Sequence, residues 1–282
     1  MLIFRSISAL TKYLEKFSDS ESKIGFVPTM GSLHEGHISL IDKSIGKSTL
    51  TVVSIFLNPT QFNDNKDFKE YPVDNDADFR KLKLYDDQLI LFVPEIKEVY
   101  GNNVKTKKFS FSGLDKYMEG SSRTNHFNGV ITVVEKLFEI VKPDYAFFGE
   151  KDFQQLRIIE SFVNDRSLGI EIIRCETKRS YNGLALSSRN KKLNNSSKKI
   201  ASNLYKALRF ARDNFNKLEI PEIVSNIEKK FHKISEISLE YFLIADENKL
   251  HPTNQKSNGV KYRAFIAAKI NNIRLIDNIN LN

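Results

Sequence analysis

The chain is poor in the side chains that form disulfides and hold structural metal ions. Its 282 residues include one cysteine, Cys175, and five histidines. A single thiol excludes an internal disulfide and fits a reducing compartment. A structural zinc site needs four ligands, mostly Cys and His. The composition therefore excludes a disulfide scaffold and leaves few candidates for zinc ligands.

Long apolar runs are also absent. A membrane-spanning helix needs roughly 18 consecutive apolar residues, and one of the longest runs here covers only residues 50–57. The first residues lack a basic region followed by a long apolar core, so we expect no secretory signal. These observations predict a cytoplasmic protein that does not associate with membranes.

Acidic residues are outnumbered, and the formal net charge is +8. The basic clusters are short, such as residues 105–108 and 198–199, and they lack the interleaved aromatic residues and the modules of nucleic-acid-binding proteins. A diffuse positive field helps to attract small anions, or it belongs to a solvated surface with no specific partner. We expect no nucleic-acid partner.

Short apolar runs alternate with amphipathic segments along the first part of the chain. The runs at residues 23–27, 51–57, 88–93, 145–148 and 170–175 are typical of strands buried on both faces of a sheet. Helical segments between them indicate βαβ units with helices on both faces. The predicted fold class is α/β, with a Rossmann-like doubly wound parallel sheet.

The pattern changes near residue 177. Two helices are predicted within residues 195–236, and strands at residues 239–244 and 263–268. We therefore predict a second, smaller α+β C-terminal domain, with one domain over residues 1–177 and the other over residues 178–282.

Some segments give less regular patterns. Apolar spacing over residues 3–17 predicts a helix that Ser8 could cap. A polar segment at residues 63–71 precedes a helix predicted near residues 74–87. Phe109 and Phe111 suggest a short strand.

The most informative stretch is residues 25–37, which combine a short strand, a glycine turn and the start of a helix. His34 and His37 lie three residues apart, so both can point from one face of the helix. A helix N-terminus exposes unpaired N–H groups and suits phosphate. Gly36 would let a bulky ligand approach the backbone. The two histidines could instead be metal ligands or surface residues.

Other polar groups follow predicted strands. Asn58 and Gln61 come after residues 51–57, where parallel sheets bind ligands, although Asn58 alone is also a common turn residue. Residues 149–152 follow the strand at 145–148, and residues 179–190 form a small, polar loop. The His-x-Gly-His pattern resembles that of the nucleotidyl-transferring α/β proteins, which split ATP at its α-phosphate.

The motifs in their order resemble those of the pantothenate synthetase (pantoate–β-alanine ligase) family along almost the whole chain. The matching segments are residues 28–31 with His34-x-Gly-His37, residues 58–62, 71–72, 126–130, 148–156, 183–190 and 274–278. The first motif alone would also admit cytidylyltransferases and aminoacyl-tRNA synthetases. Several motifs in the correct order are specific to this family.

The resemblance implies a two-step ligase reaction. Pantoate attacks the α-phosphate of Mg²⁺-bound ATP to give pantoyl adenylate and pyrophosphate, and β-alanine then attacks the adenylate to give pantothenate and AMP. Attack by a carboxylate needs negative charge on the transferring group to be neutralised. His37, His34 and Lys151 are the implied catalytic residues, and the family gives the position of His37 a proton-donor role.

The resemblance also implies binding residues. The positions that match ATP-binding residues are Met30, Gly31, Ser32, Leu33, His34, Glu35, Gly36, His37, Gly149, Glu150, Lys151, Asp152, Lys178, Leu186, Ser187, Ser188 and Arg189. Asn58, Gln61 and Gln155 match substrate-binding positions, and Met30 and Phe62 would face the gem-dimethyl group of pantoate. Asp78 matches an acidic position near magnesium. The family further implies a homodimer.

The chain departs from the family pattern at a few positions. Ser32 stands where Ala is usual, Val73 where Arg is expected, and Asn182 where Asp is expected. None of these changes removes an implied phosphate or pantoate ligand. Two other functions remain open at this point: a related adenylyl- or cytidylyltransferase with another acceptor, and a non-catalytic nucleic-acid binder.

Overall fold

The computed structural model describes residues 1–62 and 68–282, which divide into two compact units. The first unit comprises Met1–Phe111, Arg123–Glu150 and Ile158–Glu176. The second comprises Ser112–Ser122, Lys151–Arg157 and Thr177–Asn282. Residues 63–67, in the predicted polar segment, lie outside the described residues. The domain boundary near residue 177 stays a prediction.

A six-stranded parallel sheet lies in the first unit. Its strands are β1 (Leu2–Phe4), β2 (Ile24–Thr29), β3 (Leu50–Ile55), β4 (Leu89–Phe92), β5 (Tyr145–Gly149) and β6 (Glu171–Cys175). They follow the order β1-β4-β3-β2-β5-β6. The chain winds from β2 through β3 and β4 on one side, and continues with β5 and β6 on the other. The predicted doubly wound α/β fold is confirmed.

The central strands β3 and β4 are covered on both faces of the sheet. All six residues of β3 and all four of β4 are buried. Val27, Val53 and Leu91 belong to one buried cluster. Phe26 makes an edge-on contact with Phe138, with ring centroids 6.3 Å apart. The helices that contribute to this unit include Ile7–Leu14, Glu35–Ile45, Asn75–Leu82, Ile96–Tyr100, His126–Val141 and part of Phe153–Asp165.

The predicted helix over residues 3–17 was wrong at its start. Leu2–Phe4 pairs in parallel with β4, so tertiary pairing overrides the helical spacing there. The helix Ile7–Leu14 follows, and Ser6 caps it, since its Oγ accepts the N–H of Ala9. The strand suggested at residues 109–111 is also wrong: these residues form no strand, and the Phe109 ring packs on Phe162 with centroids 5.7 Å apart.

The second unit is built on a three-stranded antiparallel sheet. Its strands are β7 (Ile237–Asp246), β8 (Tyr262–Ile270) and β9 (Ile273–Asn280), in the order β7-β8-β9. The helices Asn195–Asn214 and Ile220–His232 contribute buried apolar residues to the same cluster as β8. This confirms the smaller α+β C-terminal fold. The strand β9, which carries the 274–278 motif, was not predicted.

Over residues 1–62 and 68–282, no helix is both long enough and apolar enough to cross a membrane.

Cys175, at the end of β6, is buried at 3% exposure. Burial raises the pKa of its thiol to about 11, although the positive charge of Lys43 opposes the shift. At pH 8 roughly one thiol in a thousand would then be the reactive thiolate. We expect the native chain to react with iodoacetamide far more slowly than the chain unfolded in urea, as followed by mass spectrometry. Equal rates in both states would contradict this burial.

Candidate functional site

A tight turn connects β2 to the helix that carries the two histidines. Gly31 has φ +78°, and a Cβ there would lie 3.1 Å from Asp78 Oδ2 and 3.1 Å from Ile55 Cγ2. Both the left-handed backbone and the close approach favour glycine. Ser32, which follows, is also left-handed at φ +53°. The chain can therefore turn directly from the end of β2 into the helix Glu35–Ile45.

Asp78 braces this turn. Its side chain is fully buried in the helix Asn75–Leu82, and its two carboxylate oxygens accept the N–H groups of Ser32 and Leu33, each at 2.7 Å. Such charge-assisted bonds are stronger than neutral ones. Asp74 fixes the start of the bracing helix by accepting the N–H of Ala77. The carboxylate holds the left-handed turn in place.

The side chains of the two histidines accept hydrogen bonds from backbone N–H groups at the start of their helix. His34 is its N-cap, and His34 Nδ1 accepts the N–H of Gly36 at 3.1 Å. His37 Nδ1 lies 3.3 Å from the N–H of His34 and accepts it in return. The rings stack with centroids 4.0 Å apart. Because each Nδ1 accepts a backbone N–H, the proton of each neutral ring is assigned to Nε2. Both rings thus combine an Nε2–H donor with a helix N-terminus.

A second polar cluster follows β3 and orients Gln61. Asn58 is buried at 1% exposure, and its Nδ2 donates to Gln61 Oε1 at 3.0 Å. Tyr100 donates its hydroxyl to Asn58 Oδ1 at 2.6 Å. The nitrogen of the same Gln61 amide, Nε2, lies 3.0 Å from Met30 Sδ. The Asn58 amide is thus engaged with protein groups, and its predicted contact with pantoate stays a prediction.

The backbone of Gln61 is held as well. His126 Nδ1 lies 2.9 Å from the Gln61 carbonyl oxygen, and Arg123 donates to the same oxygen at 3.3 Å. Arg123 also bonds His126 Nε2 at 3.0 Å. Gly129, in the helix His126–Val141, comes so close that a Cβ would lie 2.0 Å from the Thr60 carbonyl oxygen. Only glycine fits at this contact between helix and loop.

In the second unit, Lys151 precedes the helix Phe153–Asp165. Its side chain is 18% exposed, and its Nζ lies 3.5 Å from Asp152 Oδ1. Gln155 is half-buried in the first turn of that helix. Its neighbour Gln154 is buried and donates to the carbonyl oxygens of Leu114 and Tyr117 at 2.7 and 2.8 Å. The start of this helix is therefore fixed by the segment Ser112–Ser122.

The loop at residues 178–189 is a compact antiparallel turn. The carbonyl of Lys178 accepts the N–H of Leu186 at 2.9 Å, and Arg179 forms an isolated bridge with Ala185. Asn182 Oδ1 accepts the hydroxyl of Ser180 at 2.5 Å. An amide oxygen therefore fixes this turn where a carboxylate was expected.

Ser187 lies close to the end of this loop. This residue caps a short 3-10 helix, Ser188–Lys192, because its Oγ accepts the N–H of Arg189 at 3.3 Å.

The predicted site residues fall into two sets, one in each unit. The first-unit set is Met30, Gly31, Ser32, Leu33, His34, Glu35, Gly36, His37, Asn58, Gln61, Asp78, Gly149 and Glu150. The second-unit set is Lys151, Asp152, Gln155, Lys178, Leu186, Ser187, Ser188 and Arg189. Sequence reasoning missed the supporting contacts of Tyr100 and Gly129, whose partners are distant in the chain.

Within residues 1–62 and 68–282, no cluster of three or more His, Cys, Asp or Glu side chains could hold a metal ion. Asp78 offers both its oxygens to backbone N–H groups. The described residues therefore do not fit a metal site made of protein ligands alone.

A family model described as pantoate-beta-alanine ligase matches residues 2–280. The pantothenate synthetases of Flavobacterium psychrophilum and Christiangramia forsetii are each 43% identical to the chain, over 281 and 282 residues, with 100% of both sequences covered.

Solved structures are also similar to this chain over its whole length. The crystal structure of pantothenate synthetase from Thermus thermophilus has a TM-score of 0.91 and 33% identity, covering 100% of this chain and 99% of that one. The pantoate-beta-alanine ligase from Francisella tularensis, complexed with beta-gamma ATP and beta-alanine, has a TM-score of 0.81 and 37% identity, covering 100% and 98%.

Replacing Asp78 tests the brace. In Asp78→Asn an NH₂ group would replace one accepting oxygen, so one buried backbone N–H would lose its partner. We expect the free energy of unfolding in urea to fall by about 1–3 kcal/mol. Exchange of the Ser32 and Leu33 amide protons should accelerate in parallel. Asp76→Asn is the control, since Asp76 lies exposed in the first turn of the same helix. If Asp78→Asn and Asp76→Asn were equally stable, the role of Asp78 in holding the turn would be excluded.

Proposed function

The chain belongs to the pantoate–β-alanine ligase family, and we propose that it joins pantoate to β-alanine at the expense of ATP. The observation that carries this proposal is the braced His34–His37 pair at a helix N-terminus, which offers Nε2–H donors and backbone dipoles to a phosphate. The nucleotide and β-alanine bound by the Francisella tularensis relative support the choice of substrates.

The proposed reaction has two steps. In the first, a carboxylate oxygen of pantoate forms a bond to the α-phosphorus of ATP, and the bond to the β-phosphate oxygen breaks, so pyrophosphate leaves. In the second, the amine of β-alanine attacks the acyl carbon of pantoyl adenylate. The bond to AMP breaks, the nitrogen loses a proton, and pantothenate forms. No covalent protein nucleophile is needed.

The catalytic role proposed for His37 and His34 is to donate hydrogen bonds to the phosphoryl oxygens as negative charge shifts towards the leaving pyrophosphate. Their Nδ1 atoms are held by backbone N–H groups, so the rings cannot rotate without losing these bonds. Lys151 is proposed to hold a phosphate oxygen as a point charge.

The remaining proposed contacts follow the two sets of residues described above. Residues 30–37 and 149–152, the Lys178 backbone and Leu186 with Ser187, Ser188 and Arg189 are proposed to bind ATP, and Arg189 suits phosphate as a planar donor. Gln61 and Gln155 are proposed amide partners of pantoate, with Asn58 beside Gln61. Met30 lies next to Gln61 and suits an apolar wall.

Mg²⁺ is proposed to enter with ATP as part of the substrate, because Mg²⁺ binds commonly through phosphate oxygens and water with few protein ligands. The magnesium role of Asp78 belongs to this proposal, although its engaged oxygens make a direct bond to the ion unfavourable.

Three further parts of the proposal concern the whole protein. We propose a homodimer, by analogy with the family, and a cytoplasmic location, which fits the single cysteine. We also propose that residues 1–177 and 178–282 act as an ATP- and pantoate-binding domain and a smaller lid domain.

Removing the His37 ring should abolish most adenylate formation. We expect His37→Ala to lower pantoate-dependent pyrophosphate release by roughly a hundredfold or more, because one preorganised donor to the transferring group is lost. The measurement is a coupled pyrophosphate assay with ATP, Mg²⁺ and pantoate. His232→Ala, at an exposed histidine, should behave as the unmodified chain does. Near-normal release from His37→Ala would argue against the proposed role.

The Lys151 amine can be tested in the same assay. Lys151→Ala should lower pyrophosphate release by about a hundredfold while circular dichroism shows an intact fold, since a charge that neutralises phosphate is removed. Lys249→Ala removes an exposed lysine and serves as the control.

The acceptor is tested with the unmodified chain. Pantoate alone should give a burst near one equivalent of pyrophosphate, and β-alanine should convert the burst into sustained turnover. Pyrophosphate release that ignores pantoate and depends on a different nucleophile would support a related nucleotidyltransferase instead.

A further inference from the structure

The strand β9 carries two consecutive buried polar residues, Asp277 and Asn278, each 4% exposed. Neighbouring residues of a strand point to opposite faces of its sheet, so each needs its own partners. A buried polar group without partners would be strongly destabilising. Both residues bond to segments of the second unit that contain residues proposed to contact phosphate.

Asp277 holds the loop at residues 178–189. Its two oxygens accept both arms of the Arg179 guanidinium, at 2.6 and 2.9 Å. The same guanidinium donates to the Gly183 carbonyl at 3.2 Å and lies 4.1 Å above the Tyr205 ring. This bidentate contact, the Arg179–Asp277 fork, fixes the plane of the Arg179 guanidinium. Asp277 thereby fixes the turn from which Ser187, Ser188 and Arg189 continue.

Asn278 holds the Lys151 segment. Its Nδ2 donates to the Lys151 carbonyl at 2.9 Å, and its Oδ1 accepts from Arg263 at 2.6 Å. Arg263 is fixed by an ion pair with Glu247 at 2.7 Å and by the Phe153 ring, 3.8 Å below its guanidinium. Because Arg263 can only donate, it sets the orientation of the amide, and the amide NH₂ faces Lys151.

We infer that Asp277 and Asn278 are positioning residues of the ligase reaction, each acting on a different phosphate contact. Asn278 sets the backbone from which the Lys151 amine reaches, and Asp277, through Arg179, sets the loop that ends in Ser187–Arg189. This inference rests on the proposed function. It gives the 274–278 motif a role at the phosphates although neither side chain touches them.

The two residues should leave different kinetic signatures. Lys151 is proposed to act on the reacting phosphate, so a shift of its backbone should lower kcat. The loop is proposed to bind ATP, so loosening it should raise the KM for ATP. Misplacing a catalytic group by about 1 Å can cost up to roughly a hundredfold in rate.

The test of Asn278 uses Asn278→Asp, which keeps an oxygen for Arg263 but removes the donor to Lys151. We expect kcat for pantoate-dependent pyrophosphate release to fall by roughly tenfold or more. The matched control is Asn282→Asp, because Asn282 Nδ2 also donates to a backbone carbonyl, that of Val260, while its Oδ1 accepts the Tyr262 N–H. The control should retain normal kcat. Should Asn278→Asp fail to fold, Asn278→Ala tests the same donor.

A double-mutant cycle separates positioning from general destabilisation. If Asn278 acts through the Lys151 amine, Asn278→Asp should lower kcat only slightly further in a Lys151→Ala background. If the two residues act independently, the two reductions in kcat would multiply. Multiplying effects, or normal kcat in both Asn278 variants, would overturn the inference for Asn278.

The test of Asp277 uses Arg179→Lys, which keeps the charge but breaks the fork. It should raise the KM for ATP severalfold and change kcat less; an unchanged KM would overturn the inference for Asp277. If the unmodified chain releases no pyrophosphate in response to pantoate, the proposed function itself is contradicted.

Discussion

A buried carboxylate must be matched by hydrogen-bond donors, and this requirement shapes both units. Asp78 meets it with the backbone N–H groups of Ser32 and Leu33, which holds the left-handed turn before the histidines. Glu119, in the second unit, meets it with the guanidinium of Arg274, at 2.6 and 2.7 Å, and with the hydroxyl of Tyr241. Burial and the charge of Glu119 raise the pKa of Tyr241 well above its ordinary value, so this hydroxyl remains a donor. In each case an anion removed from water holds a segment that is distant in sequence.

The fold class could be predicted because buried parallel strands have a simple signature. β3 and β4 are apolar at nearly every position, and the glycines and prolines around them mark their ends. The edge strand β1 gave no such signal, since three residues with an apolar pattern fit a helix as well as a strand. β9 was missed because Arg274, Asp277 and Asn278 interrupt its apolar pattern. Only the ion pairs and hydrogen bonds of the folded unit give these polar side chains their partners.

The candidate site was predicted as a set of positions but not as a set of contacts. The spacing of His34 and His37 on a new helix, after a glycine turn, indicated phosphate chemistry. It could not indicate that Nδ1 of each ring accepts a backbone N–H, because this depends on rotamers at the cap. Tyr100 gave no signal, and the motif at residues 126–130 did not show why Gly129 must be glycine, since both contacts form only when the loop at Asn58 and Thr60 packs against these residues. Such contacts arise only from tertiary structure.

The second unit is assembled from segments far apart along the chain, and this affects how it can form during synthesis. Glu119 and Arg274 are separated by 155 positions, and Lys151 and Asn278 by 127. The ribosome adds residues from the N-terminus, so Glu119 and Lys151 are made long before these partners exist. The parallel sheet of the first unit contains its last strand by Cys175. The second unit, in contrast, cannot complete its buried polar contacts until at least residue 278 has left the ribosome, and a nascent chain arrested before residue 274 would carry Glu119 without Arg274.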